Sequence, residues 1–427
     1  MKRISLIIIA ILTLAVASCE TDFPNDNSPV VEDLVKTPEG LYGLIIGTQY
    51  QYTIGGASGL YTSISANGLT TNELQVLNAG NTEIAALSNG GDNVTPSNGL
   101  VTNLWINLNL VRSNGEKLVE NAGVITEPQT AAGVAVYGHL FKALAYGTSA
   151  RFFTHFILNT GEDQPFVSRN EVLEAAIQEL ETGIQLLDQY GVSTALTQAV
   201  GSHIDLENTL RALSARYYLM LGDYSNAFDM ASAVDLNATS VFIFDEVSPN
   251  PVFRSSLTTN NVYDVNPDFG LSGSLTPDPA DNRIDFYLTA NAANGKGFFL
   301  SDSESIPLYL PGEMLLIMAE VYARNNDLPQ AVQELDAVLT KTAAEDVYGV
   351  GADLPPYGGV VTQEAVLEAI YQNRCIELYM SGLKLEDSRR FGRPGPEDPG
   401  AERNRDFYPF PSIERDNNPN TPDDPEI

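Results

Sequence analysis

Apolar residues recur at three- and four-residue steps in two segments of the chain, residues 207–235 and 313–341, which superpose when one is shifted by 104 residues. This spacing places the apolar residues on one face of a helix. A polar break divides each segment, so each is predicted to form two helices joined by a short turn. The equivalent positions are Ala215, Tyr218, Asp223 and Ala227 in the first segment and Ala319, Tyr322, Asp327 and Ala331 in the second.

The alanines among these positions allow the two helices of a pair to pack closely, which is the arrangement of a tetratricopeptide-like unit. A third pair is predicted within residues 134–189, where Ser168 and Glu171 form a capping box at the start of the second helix. One further helix is predicted over residues 362–380 from its apolar stripe. The helical signal therefore dominates the chain from about residue 130 onward.

Two long regions lack this periodicity. Residues 48–100 are rich in Gly, Asn, Thr and Ser, and residues 241–311 contain many Pro, Asn, Asp, Ser and Gly residues. We therefore predict a mainly α fold, in which tetratricopeptide-like helical pairs form a platform with large irregular loop insertions. Residues 34–427 are expected to form one domain. Long loops on a rigid scaffold commonly carry binding residues, so both regions are predicted to face the ligand.

The N-terminus has the pattern of an export signal. Residues 1–18 contain a basic start, an apolar run and small residues before Cys19, and this pattern predicts a signal peptide. The four residues that end at Cys19 resemble the lipobox of bacterial lipoproteins, which implies that Cys19 is acylated. Residues 19–33 are polar and interrupted by proline, and they predict a lipidated flexible tether. Their acidic residues resemble an export tag of Bacteroidota lipoproteins, although a solvated spacer also explains them.

The composition excludes several classes of function. The 427 residues include 23 Lys and Arg against 55 Asp and Glu, a formal charge of -32, and a nucleic-acid-binding protein needs a basic face. The only cysteines, Cys19 and Cys375, are too few for a disulfide framework. The three histidines, His139, His155 and His203, lack the spacing of metal ligands. We therefore predict no cofactor and no metal site.

The sequence contains no recognisable catalytic motif. It lacks a nucleophile elbow, a metalloprotease helix motif and a phosphate-binding glycine loop. Asp264, Asn266 and Asp268 alternate like calcium ligands, but Gly270 stands one place too late for an EF-hand loop, and Leu275 replaces the closing glutamate. Catalysis is therefore not predicted, and calcium binding has no support.

Two C-terminal stretches carry a family resemblance. Residues 373–392 and 408–420 resemble the arginine-rich helix segment and the proline-framed tail of the SusD/RagB family of outer-membrane nutrient-binding lipoproteins. The residues that match the helix motif are Arg374, Glu377, Leu378, Gly382, Asp387, Arg390 and Gly392. Ser381, Lys384 and Ser388 depart from it. The resemblance implies surface capture of oligosaccharides and their delivery to a TonB-dependent transporter of the SusC type, without catalysis.

The matching charged residues have a structural interpretation. Arg374 and Glu377 are three residues apart, and Asp387 and Arg390 have the same spacing. Such pairs lie on one helix face and can form ion pairs. We therefore expect these residues to fix the last helix and the tail beneath the platform rather than to contact a partner protein.

Aromatic rings stack on sugar faces, and planar polar groups bond to sugar hydroxyls. We select ligand-binding candidates of these types from the two loop-rich regions. They are Tyr61, Asn72 and Glu73 in the first region and Tyr263, Arg283 and Tyr287 in the second. The single tryptophan, Trp105, is predicted to be core because apolar residues follow it at helical steps. Capture of a peptide, or a tetratricopeptide-type adaptor without glycan binding, remain alternatives.

Overall fold

The computed structural model describes residues 34–258, 262–289 and 296–427. The predicted signal peptide, the lipidation site Cys19 and the tether lie outside the described residues. Helices make up most of the described chain, and the strands occur only as short antiparallel pairs. The prediction of a mainly α fold is therefore confirmed.

Six α-helices lie within the described residues 34–190. They are α1 (Pro38–Thr53), α2 (Gly59–Thr70), α3 (Thr82–Asn89), α4 (Gly99–Asn121), α5 (Pro128–Phe152) and α6 (Arg169–Tyr190). The prediction that residues 48–100 are loop-rich is wrong for α2, in which every residue is buried. A helix that is buried on all sides has no polar face, so it shows no amphipathic period.

Nine further α-helices lie in the rest of the described chain. They are α7 (Thr194–Val200), α8 (Leu206–Leu221), α9 (Tyr224–Ser232), α10 (Arg283–Leu288), α11 (Pro311–Arg324), α12 (Leu328–Leu339), α13 (Gln363–Glu377), α14 (Lys384–Arg390) and α15 (Ser412–Asn417). The strands are β1 (Leu74–Val76), β2 (His155–Ile157), β3 (Phe166–Ser168), β4 (Val241–Phe242), β5 (Tyr263–Val265) and β6 (Ile306–Pro307). They pair as β1 with β5, β2 with β3 and β4 with β6.

The two superposable segments form the helical pairs α8–α9 and α11–α12. Gly222 ends α8 in the left-handed conformation, which is favourable for glycine. The small residues at the matching positions, such as Ala215 and Ala319, are completely buried. The pairs contact each other through Phe228 of α9 and Tyr322 of α11, whose ring centroids lie 5.0 Å apart. The third pair is α5–α6, and the capping box of Ser168 is present at the start of α6.

Trp105 of α4 is 1% exposed, so its assignment to the core is confirmed. Its indole packs edge-on against Phe153, Phe156 and Phe410. Its Nε1 donates to Glu414 at 2.9 Å. Because Phe410 and Glu414 belong to the C-terminal tail, this contact attaches the tail to the N-terminal helices.

The charged residues of the C-terminal motif form a buried ion-pair network. Asp387 accepts from Arg374 Nε at 2.9 Å and pairs with Arg390, and Arg390 also contacts Glu320 of α11. The pairing of Asp387 with Arg390 agrees with their spacing. Arg374, however, pairs with Asp387 rather than with Glu377, because its side chain reaches from α13 to the following helix α14. The network therefore ties α11, α13 and α14 together.

Glu377 is the second centre of this network. Its carboxylate accepts from Arg283 Nη1 at 3.0 Å and from Lys341 Nζ at 2.8 Å, and its side chain is completely buried. A pair between neighbouring turns of one helix was expected, but the partners come from α10 and from the residues that follow α12. Glu377 thus connects the second loop-rich region to the helical platform.

Candidate functional site

The two loop-rich regions meet at one strand pair. Strand β1 comes from the first region and strand β5 from the second, and they run antiparallel with Leu74 opposite Val265 and Gln75 opposite Asp264. Leu74 and Val265 are buried, whereas Gln75 is exposed and Asp264 is half-buried. Successive side chains of a strand point to opposite faces. The pair therefore presents Gln75 and Asp264 together on its outer face.

We call this surface the amide face. It consists of Asn72, Gln75, Asp264, Asn266 and Asp268. All five are planar amide or carboxylate side chains, and each is exposed or half-buried. Amides donate and accept hydrogen bonds, while carboxylates accept them, so this set can bind the hydroxyl groups of a polar ligand.

The backbone of the amide face is fixed by hydrogen bonds. Asn266 Nδ2 donates to the carbonyl oxygen of Asn72 at 3.1 Å, and this bond connects the two regions beside the strand pair. Asn72 has a φ of 59°, a left-handed conformation that asparagine tolerates better than most residues. The buried hydroxyl of Tyr379 donates to the carbonyl oxygen of Asn266 at 3.1 Å. The polar groups are therefore held on a rigid support.

Tyr61 and Tyr263, two of the predicted ligand-binding residues, lie below this face in the protein interior. Their rings stack with centroids 6.5 Å apart, and their exposed fractions are 5% and 0%. The Tyr61 hydroxyl bonds to Ser256 at 2.8 Å, and the Tyr263 hydroxyl bonds to Ser65 at 2.8 Å. Both side chains are packed and hydrogen-bonded within the protein. They therefore support the face, and the expectation that their rings stack on a ligand is corrected.

Arg283 and Tyr287 are also interior residues. The Arg283 guanidinium is completely buried between Asp281, at 2.7 Å from Nη2, and Glu377. The Tyr287 hydroxyl donates to the carbonyl oxygen of Glu377 at 2.7 Å, and burial raises the pKa of Tyr287 well above its ordinary value. The partners of Arg283 are fixed protein carboxylates. Both predicted ligand contacts are therefore corrected to structural roles in the ion-pair network.

Glu73 is buried directly beside the exposed Asn72. Its Oε2 accepts from Asn67 Nδ2 at 2.6 Å, and its Oε1 has no hydrogen-bond partner within the described chain. Burial raises the pKa of Glu73 to about 7, although the ammonium group of Lys384 opposes this shift. Of the six predicted ligand contacts, Asn72 alone belongs to the amide face. The carboxyl of Glu73 instead lies below it.

Gln75 was not predicted as a site residue, and Asp264, Asn266 and Asp268 were considered only as calcium ligands. A signal for Gln75 was present, because the sequence Glu73-Leu74-Gln75-Val76 alternates polar and apolar residues like a half-buried strand. The described part of the chain contains no cluster of three or more His, Cys, Asp or Glu side chains suited to a metal ion.

Several solved structures from Bacteroides have a similar architecture. A SusD superfamily protein from Bacteroides fragilis is 14% identical, with a TM-score of 0.68 over 90% of this chain and 98% of its own. A SusD superfamily protein from Bacteroides thetaiotaomicron is 16% identical, with a TM-score of 0.67 over 93% and 100%. This chain has the SusD fold. A SusD-like carbohydrate binding protein from Bacteroides fragilis is 14% identical, with a TM-score of 0.65 over 91% and 100%.

No family model and no curated protein matches the sequence. The SusD fold is therefore recognisable from the three-dimensional arrangement, at identities of 14–16% in the structures named above. Within residues 34–258, 262–289 and 296–427, every helix is too short or too polar to cross a lipid bilayer.

Proposed function

We propose that this protein binds oligosaccharides at the amide face and does not cleave them. The observation that carries the proposal is the β1–β5 pair, which joins the two loop-rich regions into one surface of amide and carboxylate groups. Similar folds that are named as carbohydrate binding proteins give further support. Sugar hydroxyls match such groups because each hydroxyl both donates and accepts hydrogen bonds.

The test compares binding with turnover on the same samples. The purified mature protein is titrated by calorimetry with oligosaccharides of starch, xylan, mannan, arabinan and laminarin and with a mixed peptide digest, and the sugars are then examined for cleavage products. We expect saturable heat with one class of oligosaccharide and no new reducing ends. Cleavage of a sugar would contradict the proposal. Binding of peptide alone would favour the peptide-capturing alternative, and binding of neither would favour a protein adaptor.

We further propose that the protein is held on the outer face of the outer membrane by lipid at Cys19 and delivers its ligand to a SusC-like TonB-dependent transporter. The lipobox-like residues before Cys19 support the anchor. In a fractionation experiment, Cys19→Ala is expected to move the protein from the membrane fraction to the soluble fraction. Cys375→Ala is the matched control, because Cys375 is a buried free cysteine of the folded domain. Membrane retention of Cys19→Ala would contradict the lipid anchor.

A further inference from the structure

A cavity lies where the N-terminal helices, the helical pairs and the C-terminal motif meet. Its walls include Tyr52 of α1, Ser63 of α2, Arg151 of α5, Arg216 of α8 and Glu313 of α11. The space open to the centre of a water molecule is about 70 Å³. A single water needs roughly 10–15 Å³ by this measure. The cavity therefore has room for several waters or for one small ion with waters.

Two hydroxyl groups in the walls of this cavity have no hydrogen-bond partner within the described chain. They are Tyr309 Oη and Ser381 Oγ, and both atoms are buried. Tyr309 as a whole is 2% exposed. Ser381 lies between Met380 and Gly382, which both have positive φ values, 56° and 79°. Buried polar atoms normally have a partner, so two such hydroxyls in one cavity indicate a ligand that accepts hydrogen bonds.

The charged side chains in the cavity walls indicate the sign of the ligand's charge. Arg216 and Glu313 neutralise each other through bonds of 2.6 and 2.7 Å. Arg151 is 6% exposed, and its guanidinium donates to two neutral oxygens, the Gly382 carbonyl at 2.8 Å and the Thr148 hydroxyl at 2.9 Å. Within the described residues, Arg151 forms no ion pair with a carboxylate. The cavity therefore contains one uncompensated positive charge, although the whole chain is strongly acidic.

We infer that this cavity binds a small monoanion, a halide or a short carboxylate, between Arg151, Tyr309 and Ser381. A buried guanidinium without a counter-charge is unfavourable, and an anion beside it offsets that cost. The two hydroxyls donate to the anion, so the same ion satisfies both unpartnered groups. The site is separate from the amide face and does not depend on the proposed binding of oligosaccharide.

The test begins with thermal unfolding of the purified wild-type protein in sodium chloride, sodium bromide, sodium acetate and sodium gluconate at equal ionic strength. Gluconate serves as the large anion that the cavity excludes. We expect the unfolding temperature to rise with the concentration of halide or acetate more than with gluconate, because a ligand of the folded state stabilises it by mass action. Comparing the halide series with the acetate series shows whether the cavity prefers a halide or a short carboxylate.

Variants connect this effect to the cavity. Tyr309→Phe and Ser381→Ala each remove one hydroxyl and are expected to weaken the anion affinity by about tenfold, as for one lost charge-assisted hydrogen bond. Tyr50→Phe is the control, since Tyr50 is 41% exposed and does not line the cavity. Crystals grown in bromide should show anomalous density beside Arg151. Equal responses to all four salts, unchanged affinity in Tyr309→Phe, or only water in the cavity would each overturn the inference.

Discussion

The buried ion-pair network and the amide face both contain carboxylates, but their surroundings differ. In the network, the side chains of Glu377 and Asp387 are 0% and 3% exposed, and protein cations occupy their oxygens. On the amide face, the Asp264 side chain is 26% exposed and pairs with Lys296, whereas Asp268 is exposed and accepts from the backbone N–H of Gly270 at 2.8 Å. A carboxylate therefore has a structural role where protein cations bind its oxygens in the interior. It is accessible to a ligand where its oxygens face the solvent.

This comparison separates two measurable properties. Changes in the network should lower the free energy of unfolding while leaving the ligand affinity of the folded molecules unchanged, because the network does not line the amide face. Changes on the amide face should lower the ligand affinity and leave the free energy of unfolding almost unchanged. Glu73 shares a feature with each region. Its side chain is buried like those of the network, but it stands beside Asn72 of the amide face.

The largest effect is expected for Asp387→Ala. Although burial opposes ionisation, the guanidinium groups of Arg374 and Arg390 lower the pKa of Asp387, so the residue is charged in the folded protein. Its removal leaves two buried guanidinium groups without this partner. We expect the free energy of unfolding to fall by about 3–5 kcal/mol, measured by urea denaturation.

Arg211→Ala provides the control for burial. Arg211 pairs with Glu207 at 2.7 Å on one face of α8, and the two side chains are 24% and 55% exposed. An ion pair on the protein surface contributes at most about 1 kcal/mol to the free energy of unfolding. A loss in Asp387→Ala as small as that in Arg211→Ala would show that the network does not hold the C-terminal helices, and the comparison would fail.

Glu73→Gln is expected to have the second-largest effect, through the pH dependence of stability. The folded protein keeps the Glu73 proton up to a pKa of about 7, whereas the unfolded chain releases it near the ordinary value of 4.5. The folded state thus binds more protons between these values, and its stability falls as the pH rises through them. This difference in pKa lowers the free energy of unfolding of the wild-type protein by about 3 kcal/mol as the pH rises from below 4.5 to above 7. Glu73→Gln should therefore gain stability relative to wild type between pH 5 and pH 8.

Urea denaturation at pH 5, 6, 7 and 8 measures this difference, because the other titrating groups are common to both proteins. Glu174→Gln is the control, since Glu174 lies exposed on α6 and should leave the pH profile of stability unchanged. Parallel profiles for wild type and Glu73→Gln would mean that the folded protein does not hold the Glu73 carboxyl protonated.

The helical pairs were predictable from the sequence, but several N-terminal helices were not. In each pair the second helix, α9 or α12, buries one face and exposes the other, so its apolar residues recur at helical spacing. Helix α2 is buried throughout and contains Gly, Ser, Thr and Asn residues that fit between close neighbours. Its composition resembles that of a loop, because close packing and turns both select small residues.

Most of the residues predicted from the sequence as ligand contacts lie in the interior. The residue types used to select Tyr61 and Arg283 occur both in ligand sites and in satisfied interiors, and the structure places both in the interior. Their exposure depends on tertiary packing, since the partners of Arg283 lie 2 and 94 residues away in sequence. Sequence spacing cannot identify such a partner. The alternation around Gln75 was local, so it could have been recognised.

The smallest effect on stability, and the clearest effect on affinity, is expected from changes on the amide face. Gln75→Ala removes an exposed amide from β1, and Asn72→Gly removes another while allowing the left-handed backbone. Each is expected to weaken oligosaccharide binding by about fivefold, which corresponds to the loss of one hydrogen bond worth about 1 kcal/mol. The free energy of unfolding should change by less than about 0.5 kcal/mol.

Calorimetric titration with the oligosaccharide that the wild-type protein binds, together with urea denaturation, measures both quantities on the same preparations. Gln178→Ala is the matched control, because Gln178 is an exposed glutamine on α6, outside the amide face. If Gln75→Ala binds as tightly as Gln178→Ala while both remain folded, the ligand does not contact the amide face. Weaker binding in Gln75→Ala alone, with normal binding in the folded fraction of Asp387→Ala, would separate the binding surface from the ion-pair network that supports it.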